Sequence, residues 1–305
     1  MQQTTNVRRR IQDMTIPIRV VPRAARRLGS HRIVAPIARG GISDVFLAEH
    51  VHTGERVALK VLDPVHLHDE DIVARLLYEH RLAGRVSHPG LIDVWHADRN
   101  EGDLPYIVME YLDGENLGDL AERGPIDMGS VLAIGQQIAS AVAALHAAGI
   151  VHCDIKPDNV FVLDERGPGG WPRIKVIDYG VAHDTTCPPT SDGTIAGTPP
   201  YMPPEQWRGR STEKSDVYAL GCLLFELCTG DVPFHGTLPQ LLVLHTEALP
   251  PRPSSRRSDL APVLDHLILR CLAKDPGMRP TMADIEVELS CLRRDLEPAK
   301  RVAVG

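Results

Sequence analysis

The sequence predicts an α+β fold of two lobes, a small antiparallel β-sheet lobe with one helix and a larger, mainly helical lobe. Short β-branched runs dominate residues 31–112, and one helical stretch interrupts them. From residue 113 onward the apolar residues recur at helical spacing, and a glycine ends each of the two longest helical stretches. We therefore expect the lobes to be joined at DGEN, residues 113–116.

The strands and helices follow from local patterns taken in chain order. In the first lobe the predicted strands are RIVAPIA, DVFLAEH, RVALKVL and PYIVMEYL, and the predicted helix is DEDIVARLLYEHRLAG. In the second lobe one long helix ends at Gly149 and another ends at Gly230. Between these helices the runs VFVL and RIKVID form a predicted strand pair, joined by the Gly/Pro-rich segment DERGPGGWP.

The ends of the chain differ from its middle. Residues 1–30 contain seven Arg and one acidic residue and lack a sustained apolar period, so they are predicted to be a flexible basic arm. The alternative is a docking segment for a regulatory partner. We expect one domain over residues 31–292, with lobes at 31–112 and 113–292, and a short tail over residues 293–305.

Composition and charge exclude several classes of protein. The chain has 305 residues, 43% hydrophobic and 24% charged, which is unlike collagen, disordered chains and disulfide scaffolds. Its net charge of −7 argues against a nucleic-acid partner. No uninterrupted apolar run reaches the roughly 18 residues that a membrane span needs. Six cysteines without a CxxC pair fit a reducing compartment, so we expect a cytoplasmic protein.

Two charged residues stand where the periodicity requires apolar ones. Alternation in RVALKVL places Lys60 on the same strand face as Ala58. In the predicted helix, Glu79 falls within the apolar stripe that contains Leu76. Because an unpaired buried charge is costly, we expect Lys60 to pair with Glu79 and to remain able to hold an anion. The alternative is two surface charges whose aliphatic stems lie on apolar neighbours.

A second group of polar residues flanks the predicted strand pair. HCDIKPDN (152–159) precedes the first of these strands, and IDYG (177–180) ends the second. Their loops are expected to bring together Asp154, Lys156, Asn159 and Asp178. Two carboxylates, an amide and a lysine suit phosphoryl transfer to a hydroxyl, because they can accept the hydroxyl proton, hold Mg²⁺ and offset phosphate charge.

In this order and spacing, with VALK upstream, the motifs resemble those of the protein kinase family. The closest pattern is that of the bacterial eukaryotic-like (Hanks-type) serine/threonine kinases, over about residues 33–292. The resemblance implies a two-lobed protein-kinase-like fold and transfer of the γ-phosphoryl group of ATP to Ser/Thr hydroxyls of protein substrates. It implies ATP and Mg²⁺ as cofactors, Asp154 and Lys156 as catalytic residues, and Asn159 and Asp178 as metal ligands.

The same resemblance implies a nucleotide site and a substrate platform. The expected nucleotide-binding residues are Ile37, Gly40, Gly41, Ser43, Val45, Ala58, Lys60, Glu79, Met109, Glu110, Leu112 and Phe161. GTPPYMPPE (197–205) resembles the substrate-docking loop, and Lys156 with Thr198 indicates Ser/Thr rather than Tyr preference. Asp216 is expected to brace the catalytic loop, and Arg279 is expected to pair with Glu205.

Four departures from the family pattern involve five residues. Ala38 and Ser43 replace two glycines of the glycine-rich loop, so we expect ATP binding to survive in weakened form, with Gly40 and Gly41 supplying backbone N–H groups and Ser43 a hydroxyl. Tyr179 replaces a Phe, and its hydroxyl needs a partner if buried. Pro203 replaces an Ala and stiffens its loop.

The fourth departure is Cys153, which stands where most members carry an Arg that binds a phosphorylated activation segment. The chain is therefore expected to be a non-RD kinase whose activity depends little on phosphorylation within residues 181–196. Cys153 is expected to be a packed, inert thiol, with a redox switch as the alternative.

Two other functions and one other site were compared with this hypothesis. A nucleotide-binding pseudokinase scaffold is supported by the altered glycine loop alone. A small-molecule kinase shares the HxD and metal-Asp arrangement but does not explain Lys156 or GTPPYMPPE. A metal cluster at HLHDED (66–71) competes with a helix start, which also favours acidic residues.

Overall fold

The N-terminal lobe is built on a six-stranded antiparallel sheet with the strand order β1-β2-β3-β4-β6-β5. The computed structural model describes residues 27–185 and 197–302, with side chains described through Leu296. The strands of this sheet are Arg27–Leu28 (β1), His31–Arg39 (β2), Ser43–His50 (β3), Arg56–Leu62 (β4), Val94–Arg99 (β5) and Pro105–Glu110 (β6). The four predicted strands are therefore present.

Two strands of this sheet, β1 and β5, were not predicted. Strand β1 moves the end of the N-terminal arm from residue 30 to residue 26. Residues 1–26 lie outside the described residues, but β1 pairs with the start of β2, and Leu28 is only 1% exposed. Residues 27–30 thus belong to the lobe. A two-residue strand is too short to show a period. Strand β5 is polar along much of its length, since it lies at the sheet edge and its side chains remain largely exposed.

Helix α1, Glu70–Ala83, lies between β4 and β5 in sequence and packs against β5 and β6. Asp69 caps it by accepting a hydrogen bond from the N–H of Ile72 at 3.2 Å, and Gly84 is the C-cap. Glu70 and Asp71 occupy its first turn, where the helix dipole favours negatively charged side chains. Within residues 27–185 and 197–302, no group of three or more His, Cys, Asp or Glu residues is arranged to hold a metal ion. The acidic end of HLHDED is therefore a helix start.

The C-terminal lobe is mainly helical. Its helices are Leu117–Glu122 (α2), Met128–Ala147 (α3), Glu213–Thr229 (α4), Leu238–Thr246 (α5), Pro262–Cys271 (α6) and Met282–Val302 (α7). Its short strands are Gly114–Asn116 (β7), Ile150–Val151 (β8), Val160–Arg166 (β9), Pro172–Val176 (β10) and His183–Asp184 (β11). Helix α7 continues through residues 293–302, so the predicted tail is largely an extension of the last helix.

The segment predicted to connect the lobes is part of the second lobe. Most of DGEN forms β7, which pairs with β9, so the chain crosses between the lobes just before Gly114. Gly114 has a φ of +149°, and a Cβ atom there would lie 2.1 Å from the carbonyl oxygen of Val162. Glycine is therefore required at the point where the crossing chain joins β9.

Helices α3 and α4 form the centre of the C-lobe core. Nearly every residue of α4 from Ser215 to Cys228 is buried, which explains its almost continuous apolar sequence. By its length and mean hydropathy, helix α3 could cross a membrane. No other helix within the described ranges meets both criteria. Because 61% of that stretch is buried against the rest of the lobe, a core helix explains it equally well.

Candidate active site

Three charged side chains meet in the cleft between the lobes. Lys60 on β4 places its Nζ 2.6 Å and 2.8 Å from the two carboxylate oxygens of Glu79 on α1. The same Nζ lies 3.1 Å from Oδ1 of Asp178, which follows β10. The Lys60–Glu79 pair expected from the apolar pattern is therefore present, and it joins the sheet to the helix and to the C-lobe.

The electrostatics favour the charged forms of Lys60 and Asp178, whereas burial raises the pKa of Glu79. Burial alone would lower the pKa of Lys60, but Glu79 and Asp178 raise it above its ordinary value. Burial would likewise raise the pKa of Asp178, but Lys60 and the N–H of Gly180 lower it. An ammonium and a carboxylate therefore face each other at neutral pH.

Asp178 is held in an unusual backbone conformation. Its φ of +67° lies in the left-handed region, which a non-glycine residue adopts at a cost. Its Oδ1 accepts a hydrogen bond from the N–H of Gly180 at 3.1 Å, and this bond closes a tight turn. The Asp178 side chain is 46% exposed and lies in the cleft.

The loop at residues 152–159, expected to be the catalytic loop, gathers the second group of polar residues around Asp154. Oδ1 of Asp154 accepts a hydrogen bond from the Thr198 hydroxyl at 2.6 Å. Oδ2 lies 2.8 Å from Nζ of Lys156 and accepts from Nδ2 of Asn159 at 3.0 Å. Lys156 also donates to the Thr198 hydroxyl at 2.8 Å. The four residues form one network, in which the carboxylate of Asp154 is fixed from both sides.

Asp216, at the start of α4, braces this loop from below. It is fully buried and accepts hydrogen bonds from the backbone N–H groups of His152 and Cys153 at 2.9 Å and 2.8 Å. Nε2 of His146 lies 2.8 Å from its carboxylate. Burial would raise the pKa of Asp216, but the bond from His146 and the nearby histidines lower it. The carboxylate holds the loop at Cys153, whose φ is +66°.

The sheet face toward the cleft carries several of the residues expected to bind nucleotide. In the strand register Val45 lies opposite Lys60, and Ala58 lies opposite Met109. Directly opposed residues share one face, so these four side chains line the roof of the cleft. Phe161 on β9 belongs to the floor, and Leu112 lies on the crossing segment.

In the glycine loop, the backbone N–H of Gly40 is engaged within the chain and the Ser43 side chain is buried, although both were expected to contact phosphate. The N–H of Gly40 donates to the carbonyl of Ser43 at 2.9 Å, so it closes the turn between β2 and β3. A Cβ at Gly40 would lie 2.6 Å from that carbonyl oxygen, which explains the glycine. Ser43 is only 5% exposed, so its hydroxyl is buried at the start of β3. Of the expected loop donors, Gly41 remains on an exposed turn, and Ile37 is also exposed.

The carboxylate of Glu110 has a structural partner that the sequence analysis missed. Lys175 on β10 forms an ion pair with Glu110 and donates to the carbonyl of Leu91 at 3.0 Å. The N–H of Asp93 donates to the same carboxylate at 2.7 Å. Lys175 is a buried charge in the apolar run RIKVID, so it breaks the local apolar pattern in the same way as Lys60.

Cys153 is packed inside the loop. It is 7% exposed, and its Sγ lies 3.3 Å from Nδ1 of His183. Burial raises the pKa of the thiol well above its usual value, and Asp216 raises it further. Since the thiolate is the reactive form, this environment favours the inert thiol over the redox switch.

Glu205, in the loop at residues 197–205, pairs with Arg279, as the resemblance implied. Nη1 and Nη2 of Arg279 donate to the two carboxylate oxygens at 2.6 Å and 3.0 Å. Both residues are buried, and the Ser215 hydroxyl also donates to Glu205 at 2.7 Å.

Replacing Tyr179 by phenylalanine is expected to stabilise the protein by about 1 kcal/mol. The ring is 2% exposed and packs 5.8 Å from the ring of His152, but the hydroxyl has no hydrogen-bond partner in residues 27–185 and 197–302. Removing an unsatisfied buried hydroxyl removes its desolvation cost. Thermal denaturation of Tyr179→Phe tests this. A lower melting temperature would show that the hydroxyl has a partner.

Comparison with known proteins identifies the family. A family model described as the protein kinase domain matches residues 32–288. The chain belongs to the protein kinase family. The kinase domain is 40% identical over 257 residues to the serine/threonine-protein kinase Pkn1 of Myxococcus xanthus, covering 83% of this chain and 36% of that protein.

Other bacterial relatives give similar values. The kinase domain is 36% identical to PknB of Mycolicibacterium smegmatis, covering 82% of this chain and 41% of the relative, and 36% identical to PrkC of Bacillus subtilis, covering 86% and 40%. Both are named serine/threonine-protein kinases. The chain thus spans between about a third and a half of the length of these curated relatives.

Proposed function

We propose that the chain is an active serine/threonine protein kinase that transfers the γ-phosphoryl group of ATP to Ser/Thr hydroxyls of proteins. One observation carries the proposal: Lys60, Glu79 and Asp178 form one cluster, and Asp154, Lys156 and Thr198 form another beside it. These are the groups that phosphoryl transfer needs for phosphate positioning and for proton acceptance. The names of the relatives agree with this activity.

Each cluster has a distinct task in the proposed reaction. Lys60, oriented by Glu79, binds phosphate oxygens through its charge. Asp154 orients the substrate hydroxyl and accepts its proton, while Lys156 offsets charge on the transferred phosphoryl group. Thr198 positions both Asp154 and Lys156, because its hydroxyl donates to the carboxylate and accepts from the ammonium.

The residues present suit a divalent cation of the Mg²⁺ type. Nδ2 of Asn159 is engaged with the carbonyl and carboxylate oxygens of Asp154, which leaves the amide oxygen as the free end of that side chain. Asp178 offers its half-exposed carboxylate. An amide oxygen and a carboxylate are hard donors that Mg²⁺ prefers, and bound Mg²⁺ would neutralise phosphate charge.

The activity is tested with the full chain, [γ-³²P]ATP, Mg²⁺ and casein as a general Ser/Thr substrate. Transfer of label to serine or threonine supports the proposal. The alternative is the pseudokinase scaffold, which the engaged Gly40 N–H and buried Ser43 favour. A thermal-shift assay with ATP, with and without Mg²⁺, distinguishes a scaffold that binds nucleotide from a chain that binds none. Binding without turnover of any substrate would establish the scaffold.

We further propose that the enzyme is of the non-RD type. Cys153 and its neighbour His183 offer no positive charge to a phosphate, since burial raises the pKa of the thiol and lowers that of the imidazole. The segment 186–196, where most of the expected phosphorylation would fall, lies outside the described residues. Independence from phosphorylation therefore remains a proposal, as does the cytoplasmic location.

Phosphatase treatment is expected to leave kcat within about twofold of the untreated value, because the phosphate would lack a charge-assisted partner at Cys153. The measurement compares treated and untreated protein over residues 1–305, with removal of phosphate checked by mass spectrometry. A matched variant replaces the hydroxyl residues within residues 181–196 by alanine, namely Thr185, Thr186, Thr190, Ser191 and Thr194. Loss of turnover in both the phosphatase-treated protein and the alanine variant would show that phosphorylation activates the enzyme through another cation.

A further inference from the structure

Helix α1 is connected to the C-lobe at two places. The first is the cluster in which Lys60 contacts both Glu79 of α1 and Asp178 of the C-lobe. Arg85 follows the C-cap of α1 and forms an ion pair with the carboxylate of Asp184 on β11. Its Nη2 also donates to the carbonyl of Ala148, at the end of α3, at 2.7 Å. Asp184 is 8% exposed, so the ion pair is shielded on the aspartate side. One arginine therefore connects the N-lobe helix to two elements of the C-lobe.

Two further contacts join α1 to the same segment. The N–H of Asp184 donates to the hydroxyl of Tyr78 at 3.1 Å, and Nε of Arg75 donates to the carbonyl of Gly180 at 2.7 Å. Tyr78 directly precedes Glu79, so a shift of this segment away from α1 would also disturb Glu79. Strand β11 is in turn paired with β8, which leads into the catalytic loop.

We propose that Arg85 and Asp184 are positioning residues: their ion pair holds α1 against segment 180–184 and thereby keeps Glu79 on Lys60 without a phosphate. The inference rests on the proposed kinase function and deepens its phosphorylation-independent form. The carboxylate of Asp184 supplies the fixed anion, and Arg85 supplies the cation that the catalytic loop lacks at Cys153. Because both partners are part of the chain, the arrangement needs no modification.

The expected effect is on the position of Glu79 rather than on adenine binding. Removing this ion pair raises the population of molecules in which α1 is displaced. The coupling energy typical of two residues in contact corresponds to about a tenfold change in the ratio of the two populations. In Arg85→Met, kcat should therefore fall about tenfold, while the affinity for adenosine, which has no phosphate for Lys60 to bind, changes less than twofold. Amide hydrogen exchange should accelerate in α1 and stay unchanged in α4.

A double-mutant cycle isolates the pair. Asp184→Asn keeps the shape of the side chain and should lower kcat severalfold, and Arg85→Met/Asp184→Asn should be no worse than Arg85→Met alone. Arg85→Lys keeps the charge but loses the planar fork, so it should recover part of the rate. The control is Arg32→Met, which removes the exposed Arg32–Glu49 pair of the same lobe and should leave kcat unchanged.

All variants are assayed after phosphatase treatment, so that the two proposals fail separately. If treated wild-type protein is inactive, the phosphorylation-independent function is wrong whatever the variants do. If treated wild-type protein turns over and Arg85→Met matches it, the positioning proposal is wrong. Multiplicative losses in the double variant, or unchanged exchange in α1 beside a lowered kcat, would also overturn it.

Discussion

Asp154→Asn is expected to lower kcat by about 10²- to 10⁴-fold, the range typical of losing a positioned proton acceptor. The carboxylate accepts bonds from Thr198 on one oxygen and contacts Lys156 and Asn159 with the other. An amide cannot accept on both sides, so one donor would face an NH₂ group, and the proton acceptor would be lost. The measurement is steady-state kinetics with a peptide substrate and saturating ATP.

The matched control is Asp158→Asn, an identical change at an exposed position of the same loop. It should leave kcat within about twofold, since surface substitutions of this kind have small effects. The KM for ATP should change little in Asp154→Asn, because this carboxylate lies in the network with Lys156 and not in the Lys60 cluster. An unchanged kcat in Asp154→Asn would show that another group accepts the proton.

The parts of the fold that the sequence predicted are those with a strong local period. Strands β2, β3, β4 and β6 and helices α1, α3 and α4 each contain enough apolar residues in register to indicate their type. Strand β5 was missed because an edge strand with exposed side chains carries little apolar signal. Strand β1 was missed because its stability comes from burying Leu28, a contact that only the folded sheet provides.

The same distinction holds within the site. The Lys60–Glu79 pair was predictable because each charge violates a local pattern, and Lys175 violates one in the same way. Arg85 and Asp184 violate none: they are 99 residues apart in the chain, and only the pairing of β11 with β8 brings them together. The burial of Ser43 was not predicted, because the spacing of the motif does not show that the first residue of β3 is buried.

Arg279→Met is expected to lower the free energy of unfolding by about 3–5 kcal/mol, the cost of removing one partner of a buried ion pair. The Arg279 side chain is 0% exposed, and the chain supplies an acceptor for each of its nitrogens. Nη1 and Nη2 donate to Glu205, and further bonds go to the carbonyls of Lys214, Ala273 and Lys274 at 2.7 Å, 2.7 Å and 3.1 Å. Methionine would fill the space, but the Glu205 carboxylate and these carbonyls would lose the hydrogen bonds that Arg279 donates.

Thermal and urea denaturation measure this loss, which corresponds to a drop in melting temperature of about 6–20 °C. The control is Arg99→Met, which removes an exposed pair with Asp103 and should cost less than about 1 kcal/mol. If the penalty comes mainly from the abandoned charge, Glu205→Gln/Arg279→Met should be more stable than Arg279→Met, because the double variant no longer buries an unpaired carboxylate. A double variant as unstable as the single one would instead assign the loss to the unpaired carbonyls of Lys214, Ala273 and Lys274.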